Sequence, residues 1–449
     1  MTLTFGLISL LQSMLIPGLI VKKIFFERLS FLSLLPFIFA FSLIFNWLLI
    51  FGLTKFELYL KTIFLFLIFF ECLTILYIYR KINFSETFSF EIKISEYSYL
   101  RFLNLIFVIV TFIIFYSHIG AIYSDYDAIV SYNGRWAGSW YNNVMPTNSG
   151  LYPQLLTTNM SLSNVLIGLN TAEMQFFSYI LCLSFIPITS LVAGPLAKLL
   201  KDERIYIANI IFLSLLNFPI YEQIIFTNGY MDIPVTCLSI ISIGLFVLGW
   251  SYTKNENKDD YGIKLILMSA VIAAGAAATK QSGLMIAFIS FPAIICWAYH
   301  FKISILKTII KLFLIHSIVY GLWYIQSIYQ IYIGVGAAEF NIVQSQFSHL
   351  DGYFERIQRA FSIWPEFYYL SFIGLFGIGI SNYRWIAIII LPGLIIWSLL
   401  FSFDHRNFIP TFPYIAISIA AVSYFILEKI GFFSVVKYNP SQNFIFKIE

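Results

Sequence analysis

Charge is what this chain has least of. Only 11% of its 449 residues are Asp, Glu, Lys or Arg, against about 25% in an average soluble domain. Hydrophobic residues make up 59%, with a mean hydropathy of +0.83. Too little polar sequence remains to cover so large a core in water, which excludes a soluble globular protein. Cysteine is scarce too: Cys72, Cys182, Cys237 and Cys296 all fall in apolar runs. They lack metal-ligand spacing and read as small hydrophobes. The five histidines are scattered, with no HxxxH pattern. No P-loop occurs, and the stretches between apolar runs are too short to house a nucleotide-binding domain. The net charge of +4 is spread over short loops, so nucleic acid is not an expected partner. No internal repeat is seen, and the first run, 1–21, lacks the basic n-region and small-residue site of a cleavable signal.

Long apolar runs are what the chain does have. A hydrocarbon core of ~30 Å takes about 20 apolar residues as a helix. Thirteen runs fit that reading: 2–21, 29–53, 60–79, 102–120, 177–197, 205–226, 230–252, 265–280, 281–299, 305–327, 361–382, 385–403 and 408–427. The expected fold is an all-α polytopic bundle, with the pair flanking Lys280 short enough to be re-entrant. Three leading spans and a cytoplasmic loop occupy 1–101, the main region 102–428 and a cytoplasmic tail 429–449. Of the 27 basic residues, 20 fall in one set of alternating loops; the other set has only Lys55, Lys61, Arg135, Lys280, Arg356, Arg359 and Arg406. Basic residues accumulate on the cytoplasmic side. The N-terminus is therefore expected outside and the C-terminus inside a plasma membrane. The outer segment 121–176 then reads as a loop with juxtamembrane helices. Its stretch "SLSNVLIGLNTAEMQFF" is too polar to span, and is expected to lie amphipathically on the surface.

Polar groups gather on that outer side. "YSDYDAIVSYNGRWAGSWYNN", Tyr123 to Asn143, packs two carboxylates, one guanidinium, three asparagines and two tryptophans into 21 residues. Asp125 and Asp127 converge only if the backbone turns. Roofed by Tyr126, Trp136 and Trp140, a carboxylate there is a candidate base toward an alcohol; the plainer reading is an aromatic and acidic belt at the interface. An i, i+2 acid pair also leaves a divalent metal open. Asp232, just ahead of Pro234, suits either a helix start or a site. Lys280 is the one charge in a long apolar run, at a position where a Lys costs roughly 2.5–3.5 kcal/mol. It either snorkels to the surface or faces an anion. Arg406 stands on the side that should lack basic residues; its planar fork suits phosphate, or it pairs with Asp404.

"DYDAIVSYNGRWAGSW", "LYPQLLTTNMSL", "NGYMDIPV", "ATKQSGL", "WYIQSIY" and "RNFIPTFPYIAI" follow one another in an order that resembles the GT-C glycosyltransferases. The likeness is greatest to bacterial members of the dolichyl-phosphate-mannose protein mannosyltransferase type, and covers roughly 102–425. It implies transfer of a sugar from a polyprenyl-phosphate-linked donor to an acceptor hydroxyl on a glycan, lipid or protein, with no bound cofactor. The family's essential acid falls on Asp127 or Asp125; "YDA" stands where relatives often read "WDA", which favours Asp127. The resemblance implies Lys280, Arg406 and Arg135 as holders of the donor phosphate, and Asp232, Tyr152, Trp136 and Asn133 as substrate-binding residues. The three leading spans depart from the simplest family layout, in which the acidic loop follows the first span. A lipid-linked-sugar polymerase or ligase, and a lipid or sugar flippase, are the alternative functions.

Overall fold

The computed structural model describes residues 2–25, 31–80, 98–117, 132, 134–147, 151–168, 171–200, 204–216, 231–255, 260–335, 352–380, 384–401 and 405–430. Among these residues the regular structure is helical, with no strand. In chain order the helices are α1 (Thr2–Met14), α2 (Ile16–Phe25), α3 (Phe31–Lys55), α4 (Lys61–Tyr79), α5 (Ser98–Ser117), α6 (Ala137–Tyr141) and α7 (Leu155–Ile167). There follow α8 (Thr171–Ser190), α9 (Ala193–Leu200), α10 (Arg204–Leu216), α11 (Asp232–Asn255), α12 (Asp260–Ala277), α13 (Gly283–His300) and α14 (Ile305–His316). The last are α15 (Leu322–Tyr332), α16 (Tyr353–Ile363), α17 (Pro365–Leu375), α18 (Arg384–Ile396) and α19 (Phe412–Lys429), the last preceded by a 3-10 stretch, His405–Thr411.

Among the described residues, nine helical segments are long and apolar enough to cross a membrane, and they fall on nine of the thirteen expected spans. Of the other four, 102–120 and 205–226 run beyond the described residues, which end there at Ser117 and Leu216. Run 361–382 is broken where Trp364 takes φ −130°, ψ 57° ahead of Pro365, because a residue before proline is pushed out of the α region. Run 385–403 leaves the α form at Trp397, where a π-turn, Trp397–Phe401, takes over. The α12 and α13 runs flanking Lys280 are both long enough to span.

The core lies along α3 and α11, most of whose length is buried, whereas α4 and α14 turn Phe66, Phe69, Leu73, Leu306 and Phe313 outward. An apolar outer face is what contact with acyl chains requires. One hydrophobic cluster joins Phe37 and Trp47 of α3 to Trp140, Leu155, Trp323 and Phe412, so packing is continuous across residue 101. Close crossing of α11 and α12 depends on glycine. A Cβ at Gly249 would sit 3.0 Å from the Gly262 carbonyl oxygen, and one at Gly262 3.0 Å from that of Gly249. Beside them Ser242 Oγ donates to the Ser269 carbonyl at 2.8 Å. Small residues and interhelical hydrogen bonds replace the missing hydrophobic drive inside a membrane. At the other edge, Gln12 Nε2 of α1 donates to Asn46 Oδ1 of α3 at 3.0 Å and to Glu71 Oε2 of α4 at 2.8 Å.

Helix α7 corrects the expectation of an amphipathic surface helix over 161–177. Every residue from Leu155 to Leu166 is buried, and the stretch from Thr171 onward belongs to α8. Its hydroxyls bond back to carbonyls of the helix itself, which is why they need no water. Thr158 and Ser161 each donate to a carbonyl three residues back, and Asn159 Nδ2 donates to the carbonyls of Leu155 and Leu43. The expected cytoplasmic loop of the leading region falls mostly on 81–97, outside the described residues.

Candidate functional site

The site is built where α11 begins, where α12 turns into α13, and where the 3-10 stretch leads into α19. Asp232 opens α11 and is completely buried. An acid suits a helix N-terminus, where the unpaired N–H groups concentrate positive potential, and Pro234 removes one donor in the turn that cannot use it. Lys280 lies in the tight turn between α12 and α13. That turn is closed by Lys280 N–H to the Ala276 carbonyl at 3.4 Å and Gly283 N–H to the Lys280 carbonyl at 2.9 Å. Only glycine fits at 283, because a Cβ there would fall 2.1 Å from the Ala276 oxygen. The turn delivers Lys280 Nζ to Asp232 Oδ1 at 2.6 Å, with the two side chains 11% and 0% exposed. Lys280 therefore neither snorkels nor stands as an isolated cation. The second carboxylate oxygen of Asp232 is buried and has no hydrogen-bond partner.

The segment between Trp136 and α7 packs against the start of the turn that holds this pair. Leu155 N–H donates to the Ala278 carbonyl at 2.8 Å and stitches the segment to the Lys280 turn. Gln154 organises the approach: its Oε1 accepts from Trp140 Nε1 at 3.3 Å and from Thr157 Oγ1 at 2.7 Å. Tyr152 shares a 3.1 Å hydrogen bond with the Tyr132 hydroxyl. The rings of Tyr132, Trp136 and Tyr152 form a cluster with centroids 4.9–5.5 Å apart, and the indole N–H of Trp136 is buried without a partner. The Tyr152 phenol is pushed well above its ordinary pKa, first by burial and then by Tyr132 and the Asp232 carboxylate, with Arg406 opposing. It is a neutral phenol at physiological pH, within electrostatic reach of both Asp232 and Arg406. Arg406 is half-buried on the 3-10 stretch, which packs against α11.

Five nominated residues thus come together: Trp136, Tyr152, Asp232, Lys280 and Arg406. Arg135 is exposed, one residue from the buried Trp136. Asp125, Asp127 and Asn133 lie outside the described residues, as does Asp404. Three residues escape sequence reasoning: Tyr132, Gln154 and Trp47. Trp47 anchors the stretch around Trp323. Its ring is 6.2 Å from Trp323 and 5.9 Å from Trp140, and its Nε1 donates to the Val319 carbonyl at 2.7 Å. That carbonyl belongs to a π-turn, Ser317–Gly321, between α14 and α15, a form that disturbs the i→i−4 ladder and is frequent at functional sites. Described residues of all six sequence stretches that carry the resemblance are thus joined by contacts, Trp140 to Trp323 among them. Among the described residues no group of three or more His, Cys, Asp or Glu could hold a metal ion.

Fold and site together define a polytopic helical membrane protein with a buried ion pair and an aromatic cluster close to it in the chain's packing. No protein-family model, no curated protein and no solved structure matches the chain.

Proposed function

We propose that this protein is a GT-C-like membrane glycosyltransferase. It moves a sugar from a polyprenyl-phosphate-linked donor to an acceptor hydroxyl at the outer face of a bacterial inner membrane. The observation that carries the reading is that described residues of all six stretches, scattered over nearly 300 residues, are linked by contacts: Lys280 to Asp232, Leu155 to Ala278, Tyr132 to Tyr152, Trp140 to Trp323, and the 3-10 stretch to α11. In this reading the carboxylate of Asp127, or of Asp125, takes the acceptor hydroxyl's proton as its oxygen attacks the anomeric carbon. The bond from that carbon to the phosphate oxygen breaks, and polyprenyl phosphate leaves with the bonding pair. Positive groups held near the departing phosphate stabilise its charge. Lys280 is neutralised by Asp232, so the main phosphate contact falls to Arg406. No nucleotide is needed, because the donor already carries its leaving group.

A flippase would be expected to line a path with charge near the bilayer midplane. The mid-span acid Glu71 instead accepts a hydrogen bond from the buried Gln12, which serves helix packing. Purified protein incubated with polyprenyl-phosphate sugars separates these classes. An enzyme releases polyprenyl phosphate when an acceptor is present; a flippase leaves the lipid intact, and that outcome sinks the reading. A polymerase or ligase would share the donor chemistry and differ in the acceptor.

Two predictions belong here. Arg406→Ala should weaken donor affinity by roughly 10- to 150-fold, the worth of a charge-assisted hydrogen bond of about 1.5–3 kcal/mol. Arg406→Lys keeps the charge but loses the two-pronged donor geometry, so it should fall between Arg406→Ala and wild type. Donor titrations on the purified variants decide this, and unchanged affinity in Arg406→Ala would place the phosphate elsewhere. Sidedness is the second. A cysteine introduced at Asn143 should react with an impermeant thiol reagent in intact cells, and one at Asn255 only after permeabilisation. Labelling of the Asn255 position in intact cells would invert the topology.

A further inference from the structure

The three leading spans lie outside the stretch that carries the resemblance, and they share a polar contact of their own. Gln12 of α1, Asn46 of α3 and Glu71 of α4 each stand close to the midpoint of a span, Thr2–Lys23, Leu34–Lys55 and Lys61–Tyr79 respectively. Gln12 and Asn46 are completely buried, and Glu71 is half-buried. Asn46 Nδ2 donates to the Gln12 backbone carbonyl at 2.9 Å, so Asn46 turns its acceptor, Oδ1, to the Gln12 amide. Gln12 answers with Nε2, at 3.0 Å from Asn46 Oδ1 and 2.8 Å from Glu71 Oε2. The amide orientation is thereby fixed. One neutral N–H is all that Glu71 receives among the described residues.

No cation among the described residues reaches this carboxyl. Helix α1 carries no charge, and those of its neighbours stand at helix ends: Lys22 and Lys23 on α2, Lys55 on α3 and Lys61 on α4. At roughly 1.5 Å per residue, Lys61 is about 15 Å from Glu71 along the helix and Tyr79 about 12 Å. Lys22 Nζ lies 5.8 Å from the centre of the Tyr79 ring, Lys61 Nζ 4.0 Å from that of Phe5, and Lys55 donates to Gln326. The other titratable groups on these four helices are Cys72, Tyr77 and Tyr79 of α4. An ionised carboxylate at mid-span is costly unless paired, and a single neutral donor does not pair it. We infer that Glu71 is a proton-binding site: it stands as the uncharged acid, with Oε2 accepting from Gln12 and Oε1 carrying the proton. The inference is independent of the glycosyl-transfer reading. It makes the docking of α4 conditional on that proton, because its release would leave a bare charge among apolar side chains.

The test uses purified full-length protein in lipid vesicles at about pH 7, where a glutamate in water is ionised. The probe is dicyclohexylcarbodiimide, which partitions into hydrocarbon. A protonated carboxyl adds across one C=N bond of the reagent: its proton goes to nitrogen and its oxygen bonds to the central carbon. The O-acylisourea so formed rearranges to a stable N-acylurea, and the peptide gains the mass of one reagent. Mass spectrometry should find this adduct on Glu71, and a water-soluble carbodiimide should not produce it. Glu71→Gln still accepts from Gln12 and should lose the adduct altogether. Gln12→Met removes the one donor that favours the ionised form, so its adduct should form at least as fast as in wild type. No adduct on Glu71 in folded wild type, an equal adduct with both reagents, or loss of the adduct in folded Gln12→Met overturns the inference. Should Gln12→Met fail to fold, wild type and Glu71→Gln decide it alone, since glutamine preserves the contact and removes only the titratable group.

Discussion

Lys280→Met will destabilise this protein by about 3–5 kcal/mol, because it strands the Asp232 carboxylate at a site with no exposed surface. The loss should appear as a lowered thermal midpoint in detergent and reduced yield of monodisperse protein. The methionine keeps most of the packing of the lysine stem among the apolar neighbours, so the loss isolates the charge. Asp232→Asn should be milder than Lys280→Met, since an amide oxygen still accepts from Lys280 Nζ. Joining the two changes removes both charges, and much of the lost stability should return. Replacing a buried ion pair as a unit is often near neutral, whereas breaking it is not, and partners in contact are not additive. A double variant as unstable as the sum of the singles would mean that Lys280 and Asp232 act through different partners.

Much of the bundle was legible because length and hydropathy are strong signals. Nine spans follow from runs of about 20 apolar residues alone. The break at Trp364 was hidden because Phe361, Trp364 and Phe367 keep the run apolar, while Pro365 changes only the backbone. The buried course of α7 was hidden for the opposite reason. Ser161, Ser163 and Asn164 look like a water-facing set when side chains are counted, but Ser161 and Ser163 bond back to their own helix, and such local bonds leave no trace in hydropathy. At the site, the polar residues could be found and their partnership could not. Asp232 and Lys280 are 48 positions apart, and each was weighed alone, as a helix start and as a snorkelling lysine. The rule that buried charges are paired would have favoured joining an acid and a base at the same end of two packed helices. The role of Gln154 had no such signal, since nothing in sequence distinguishes a glutamine that receives two hydrogen bonds from one in solvent.

Asp127→Asn will abolish turnover while leaving the fold and donor binding nearly unchanged. Asp127 lies outside the described residues, five positions before Tyr132, whose hydroxyl meets Tyr152 beside Asp232. The expectation therefore rests on chemistry and on the chain order of the motifs. An acceptor hydroxyl attacks an anomeric carbon only as its proton departs, and a positioned carboxylate contributes about 10²–10⁴-fold to such a step. Asparagine keeps size and hydrogen bonding but cannot take the proton, so kcat should fall by roughly 10²-fold or more. If the donor lipid is held by Arg406, KM for the donor should barely move. That split marks an interaction made in the transition state and not in binding. Asp125→Asn should cost less, because only one of two acids in a DxD pair serves as the base. Single-turnover assays with radiolabelled donor separate the chemical step from product release. Equal and mild effects from the two substitutions would return both acids to the interface belt, and the base would have to be sought in another residue of the same outer segment.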